Sequence, residues 1–162
     1  MKHFINSIWT FSVLACTGAV AAPLADLSGG QTGRIEYESM NPPNRWEYAR
    51  LNMQNTKPAV VWGDLLMPKN VNGKVPAVVL SHGSSGISPA AYDVWARDMN
   101  AAGVAIFIID SFKPRGVDQT ATDQSKVTFP AQTADALNAL KLLASHSQID
   151  STRIYNIGMS RG

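Results

Sequence analysis

Val75 to Leu80 and Val104 to Ile109 are nearly continuous runs of apolar, mostly β-branched residues. A strand with no polar alternation must be covered on both faces, which is the situation of parallel strands sandwiched between helices. Between the two runs, Tyr92, Trp95, Ala96 and Met99 recur at helical spacing, with Ser88 as the cap, Pro89 at the first helical position and Gly103 as the stop. A second helix starts near Thr128 and Pro130, carries Ala134, Leu137, Leu140, Leu143 and Ala144 on one side, and runs out near His146. Gln148 to Thr152 then turn the chain into a strand from Arg153 to Ile157. This order of strand, helix, strand, helix, strand predicts an α/β sheet with helices on both faces. Upstream, Ile35 to Glu38 and Val60 to Met67 read as strands. Asn41-Pro42-Pro43-Asn44 and Pro68 close them, Asn70-Val71-Asn72-Gly73 makes a turn, and hairpin pairing between neighbours is expected.

The first residues read as an export signal. Lys2 and His3 give a short basic start, Phe4 to Ala15 an apolar stretch, and Ala19-Val20-Ala21 an A-x-A cleavage site. The stretch is shorter than the roughly 20 residues a membrane-spanning helix needs, so no transmembrane span is expected. An alternative takes Val13-Leu14-Ala15-Cys16 as a lipobox, with Cys16 the lipidated first residue of an anchored lipoprotein. Residues 1–21 are thus read as a signal peptide, 22–33 as a small, polar linker or irregular start, and 34–162 as the N-terminal part of the α/β domain. Without the leader, 13 basic side chains face 12 acidic ones, a balance that excludes an electrostatic case for nucleic acid. Cys16 is the single cysteine, so the exported part has neither a disulfide framework nor a thiol nucleophile.

The strand Arg153 to Ile157 delivers Gly158-Met159-Ser160-Arg161-Gly162, a G-x-S-x-G pentapeptide. In such an elbow the serine sits on a sharp strand-to-helix turn, the glycines leave room for neighbouring backbone, and Oγ projects into a cleft. Ser160 is therefore the candidate nucleophile, at the carboxyl end of a parallel strand where open α/β sheets place ligands. Ser81-His82-Gly83-Ser84-Ser85-Gly86 leaves the preceding buried strand at the same edge. The expected oxyanion hole pairs the backbone N–H of Arg161, which follows the nucleophile, with that of Ser84. An elbow calls for a helix after it, so the sequence reads as the front of a longer enzyme, complete at Met1 and truncated at the nucleophile elbow.

Ser81-His82-Gly83 after Val75 to Leu80, Ile109 through Gly116 after the next strand, and Ile149-Asp150 through Gly162 together resemble the dienelactone hydrolase family of α/β-hydrolases. The resemblance spans about residues 60–162. It implies an α/β-hydrolase fold, a small-molecule ester or lactone as substrate, and neither metal nor organic cofactor. Dienelactone hydrolase itself carries cysteine at the nucleophile position, so the match is to serine-bearing, exported relatives.

In this fold the acid and the histidine follow the nucleophile in chain order, which places both beyond Gly162. His82 is accordingly expected to hold the loop rather than act as base, and Asp110 to fix a loop rather than complete a triad. Arg115 is assigned a surface salt bridge over the alternative of gripping a substrate carboxylate, and His146 is read as a solvated residue at a helix end. Tyr92, Trp95 and Met99 are read as core. Two rivals stay open: a peptidase or acyltransferase on the same fold, and a non-catalytic binding protein of that fold.

Overall fold

A computed structural model describes residues 22–70 and 72–162. The leader, with Ala19-Val20-Ala21 and Cys16, lies outside the described residues, as does Val71 of the expected turn. The elements are β1 (Gly33–Asn41), a short α1 (Arg45–Ala49), β2 (Lys57–Leu66), β3 (Val75–Ser81), a π-wound segment (Ala91–Ala96) continuing into α2 (Arg97–Ala101), β4 (Ala105–Asp110), α3 (Phe129–Ala144) and β5 (Ile149–Gly158). Among the described residues no helix is long and apolar enough to cross a membrane.

The strands form one sheet in the order β1-β2-β4-β3-β5. β3 pairs in parallel with β4 on one side and β5 on the other, whereas β1 with β2 and β2 with β4 are antiparallel. The expected hairpin is thus formed by β1 and β2. β2 does not pair with β3, its next neighbour in sequence, and lies beside β4 instead. The reason is burial: β4 is buried along its whole length and β3 nearly so, and strands of that kind belong in the interior of the sheet, under helices.

One face of the sheet packs Val79, Phe107 and Ile109 against Ala139, Leu142 and Leu143 of α3. The other packs Leu80, Ile106 and Ile108 against Ala96, with Tyr92, Trp95 and Met99 beside it, as the helical spacing predicts. Burial of each large apolar side chain contributes about 1.5–3 kcal/mol. That helix opens differently from expectation. Ser88 supplies its backbone carbonyl to the Ala91 amide, and no side chain caps the first turn. Gly103, at φ +78°, ends it as expected.

α3 begins as read, with Thr128 Oγ1 accepting from the Ala131 amide at 3.2 Å, but its inward face is rotated. Leu137 is 47% exposed and Ala144 exposed, while Gln132 and Asp135 are buried. Apolar residues run most of the way round this helix, so hydrophobic spacing alone does not choose the face. The two polar side chains turn inward because each finds charged or backbone partners there. Asp135 takes Arg115 in a two-pronged ion pair, Nη1 to Oδ2 at 2.7 Å and Nη2 to Oδ1 at 2.9 Å. Arg115 also donates to Asn41 Oδ1 and to the carbonyls of Ser111 and Met40. It is therefore a largely buried tie between β1, the turn after β4 and α3, its side chain 10% exposed, which corrects the surface assignment. His146 is corrected in the same sense. It is 1% exposed, its Nδ1 accepts from the Gln148 amide at 3.1 Å, and its Nε2 faces the Gln31 carbonyl at 3.2 Å.

Candidate active site

β5 ends at Gly158, and the chain then doubles back over the carboxyl end of β3. The Met159 amide donates to the Ser81 carbonyl at 3.0 Å, and the Gly162 amide closes the turn on the Met159 carbonyl at 2.9 Å. Ser160, at the apex, has φ +55°, a left-handed conformation that costs a residue with a Cβ about 1–2 kcal/mol. The glycines are required by what lies against them. A methyl group on Gly158 would overlap the Gly162 carbonyl, and one on Gly162 would overlap the Ser81 carbonyl. One on Gly83 would stand 3.1 Å from the Met159 oxygen and 3.3 Å from Ser160 Cβ. Elbow and loop therefore touch backbone to backbone.

Ser160 and Ser84 line a common cavity of about 220 Å³, walled by Gly83, Ile87, Ala91 and Ile108. Its shape follows from the loop after β3, which turns through a Gly86 amide to Gly83 carbonyl bond at 3.1 Å and is tied down where the Thr120 amide meets the Ser84 carbonyl at 2.7 Å. His82 holds the base of this loop. It is 4% exposed, its Nδ1 meets the Gly83 carbonyl at 2.8 Å, and its Nε2 accepts from the Ser111 amide at 3.1 Å. These partners assign the proton to Nδ1 and keep the ring neutral. Desolvation lowers its pKa further. With both ring nitrogens engaged, His82 supports the loop, as its place in the sequence suggests. Asp110 accepts from the amides of Phe112 and Lys113, both at 2.9 Å, and so fixes the turn after β4.

The Arg161 side chain leads away from the cavity and into the segment between β4 and α3. Its Nε donates to Gln132 Oε1 at 2.9 Å, and its Nη1 to Gln124 Oε1 at 2.5 Å and to Thr120 Oγ1 at 3.2 Å. Its Nη2 bonds the Val127 carbonyl. The guanidinium also lies over the Phe129 ring, 4.3 Å from the centroid. Gln132 and Gln124 are functional candidates that sequence reasoning missed. Gln132 stands in α3 one turn before Asp135, in a stretch otherwise rich in alanine, and such a polar pair at i and i+3 among small residues is the signal that points to a buried polar face. Among the described residues no group of three or more His, Cys, Asp and Glu is placed to hold a metal.

Neither a protein-family model nor a curated protein matches the chain. Solved structures do. Est1E from Butyrivibrio proteoclasticus with ferulic acid bound shares 25% identity at a TM-score of 0.50, over 64% of this chain and 40% of that one. A putative dienelactone hydrolase from Klebsiella pneumoniae subsp. pneumoniae MGH 78578 shares 17% at 0.51, over 78% and 50%. The α/β hydrolase GrgF from Penicillium sp. sh18 shares 14% at 0.51, over 78% and 37%. The fold is that of the α/β hydrolases, in agreement with the resemblance seen in the sequence. The chain spans half or less of the length of each of these structures.

Proposed function

We propose that this α/β-hydrolase-fold chain carries the nucleophile of an exported serine hydrolase that cleaves carboxylic esters or lactones by acyl transfer. The observation that supports it most is the left-handed Ser160 on an elbow seated against the Ser81-to-Gly86 loop, with Ser84 on the same cavity. In this reading Ser160 Oγ attacks the carbonyl carbon and its proton passes to a histidine. The oxyanion receives the backbone N–H groups of Arg161 and Ser84, each such donor being worth roughly 3 kcal/mol in the transition state. The protonated histidine then releases the alcohol, leaving an ester on Ser160 that water hydrolyses to the acid.

The two histidines of the described residues have their ring nitrogens committed elsewhere, and the solved α/β hydrolases are at least twice as long as the aligned part. Both points support a histidine and an acid supplied by sequence following Gly162, so that the polypeptide of residues 22–162 has no esterase activity alone. The deciding experiment is hydrolysis of p-nitrophenyl acetate by the full-length protein and its Ser160→Ala variant. Loss of a serine nucleophile from a working triad lowers kcat on the order of 10⁶-fold. Wild-type turnover by Ser160→Ala would remove Ser160 from the mechanism.

A further inference from the structure

The loop after β3 and the elbow are joined twice through glutamine side chains, and both joins pass through one guanidinium. Gln132 Nε2 donates to the His82 carbonyl at 2.6 Å while its Oε1 accepts from Arg161 Nε at 2.9 Å. Gln124 Nε2 donates to Ser84 Oγ at 2.9 Å while its Oε1 accepts from Arg161 Nη1 at 2.5 Å. Each carboxamide thus donates to the loop and accepts from the elbow, and Gln124 Oε1 also lies within reach of the Ser84 and Thr120 hydroxyls, at 3.3 and 3.4 Å. A carboxamide suits this task because it carries both functions at a fixed separation, whereas a carboxylate only accepts and an ammonium only donates.

We infer that Gln132 is a positioning residue for the oxyanion hole, with Gln124 as its outer partner, setting the Arg161 peptide and the Ser84 loop at a fixed distance from each other. The inference rests on the proposed serine hydrolase. A tetrahedral oxyanion is held well only when its donors converge on one point about 3 Å away, and these two donors lie on segments 77 residues apart in sequence. Backbone hydrogen bonding between the two segments ends on one side, with the β3–β5 ladder at Ser81 and Gly158 and the Met159 amide on the Ser81 carbonyl. On the other side their separation is held by the glutamines together with Thr120, whose amide donates to the Ser84 carbonyl and whose hydroxyl accepts from Arg161 Nη1. Gln132 is 4% exposed and anchored in a four-turn helix, whereas Gln124 is exposed in a short turn, so Gln132 dominates.

The test uses the full-length enzyme with p-nitrophenyl acetate, and a boronic acid that forms a tetrahedral adduct with a catalytic serine. Displacing a reacting group by about 1 Å costs on the order of 10²-fold. Gln132→Ala is therefore expected to lower kcat by about 10- to 100-fold with KM within about twofold, and to weaken boronate inhibition by the same factor as kcat. Gln132→Glu guards against a folding defect, because it preserves volume and the Arg161 contact while losing the donor to His82. It should show the same kcat loss with a cooperative melt, and Gln124→Ala a loss of a few-fold. If Ser160→Ala is inactive while both Gln132 variants turn over and bind boronate like the wild type, this inference falls and the hydrolase reading stands. If Ser160→Ala is active, both fall.

Discussion

Removing the Asp135 carboxylate tests the buried frame behind the site, and its cost can be worked from the geometry. Asp135 is 0% and Arg115 10% exposed, and two charge-assisted hydrogen bonds join them. Deleting one member of such a buried pair costs about 3–5 kcal/mol, chiefly because the other is left charged and unpaired. In Asp135→Ala the guanidinium keeps three neutral acceptors, Asn41 Oδ1 and the carbonyls of Ser111 and Met40, which favours the lower figure. The Ser39 hydroxyl, which donates to Asp135 Oδ1, loses its partner and adds about 1 kcal/mol. The sum is about 4 kcal/mol. Arg115→Met leaves a carboxylate with no access to water and Ser39 as its remaining partner, so it should sit at the upper end, about 5 kcal/mol. The double variant Arg115→Met/Asp135→Leu strands no charge and should recover at least half of the larger loss. Urea unfolding of the full-length protein reads all three, provided the slope m stays constant. A loss under about 1 kcal/mol in Asp135→Ala, or a double variant no better than the worse single one, would refute the picture of a buried, mutually dependent pair.

Two further outcomes follow from other parts of the chain. Burial depresses the pKa of His146 and of His82, so the folded state takes up these protons at lower pH than the unfolded chain, which does so from about pH 6.5 downward. Their contribution to stability is whole above that pH and is lost as pH falls below it. Urea midpoints should therefore drop between about pH 7 and about pH 5, and His146→Gln should flatten part of that slope; an unchanged slope would show that His146 is not held neutral by the fold. The leader read from residues 1–21 is expected to be cleaved after Ala21, so the exported protein should have a mass that begins at Ala22. A diacylglyceryl-modified Cys16 at the amino terminus would establish the lipoprotein alternative instead.

What the sequence conveyed about the fold depended on how local the determining interactions are. β3 and β4 were legible because Val78, Val79, Ile106 and Ile108 leave no polar face, whatever strand each ends up beside. That β2 would lie against β4 was not legible, since Trp62 opposite Asp110 and Leu66 opposite Ile106 are partners distant in sequence, and β2 has no local feature that selects them. The face of α3 failed for a related reason. Leu137 and Leu140 suggest a stripe, but Asp135 goes inward because Arg115 meets it there, and nothing near residue 135 announces Arg115. His146 sits at a helix end, where solvation is the usual state; the Gln31 carbonyl that buries it belongs to the segment preceding β1.

The site divides along the same line. Ser160 was legible because sterics wrote its neighbours: backbone crossing backbone leaves no room for a side chain at Gly158 or Gly162 and little at Gly83, and that requirement appears directly in the sequence. Arg161 stands in the same pentapeptide, yet its side chain was not legible, because its partners, Thr120, Gln124, Val127, Gln132 and the Phe129 ring, come from a segment whose path no local pattern fixes. The two residues nevertheless act together. The strain of a left-handed serine persists only where surrounding structure over-determines it, and at about 1–2 kcal/mol it is comparable to a single hydrogen bond made by a charged group. Arg161, the next residue, makes several such bonds to α3 and its approach segment, and the Met159 amide on the other side is bound to Ser81. The serine is thus held between two anchored neighbours, and the more consequential of the two anchors is the one that sequence spacing leaves unwritten.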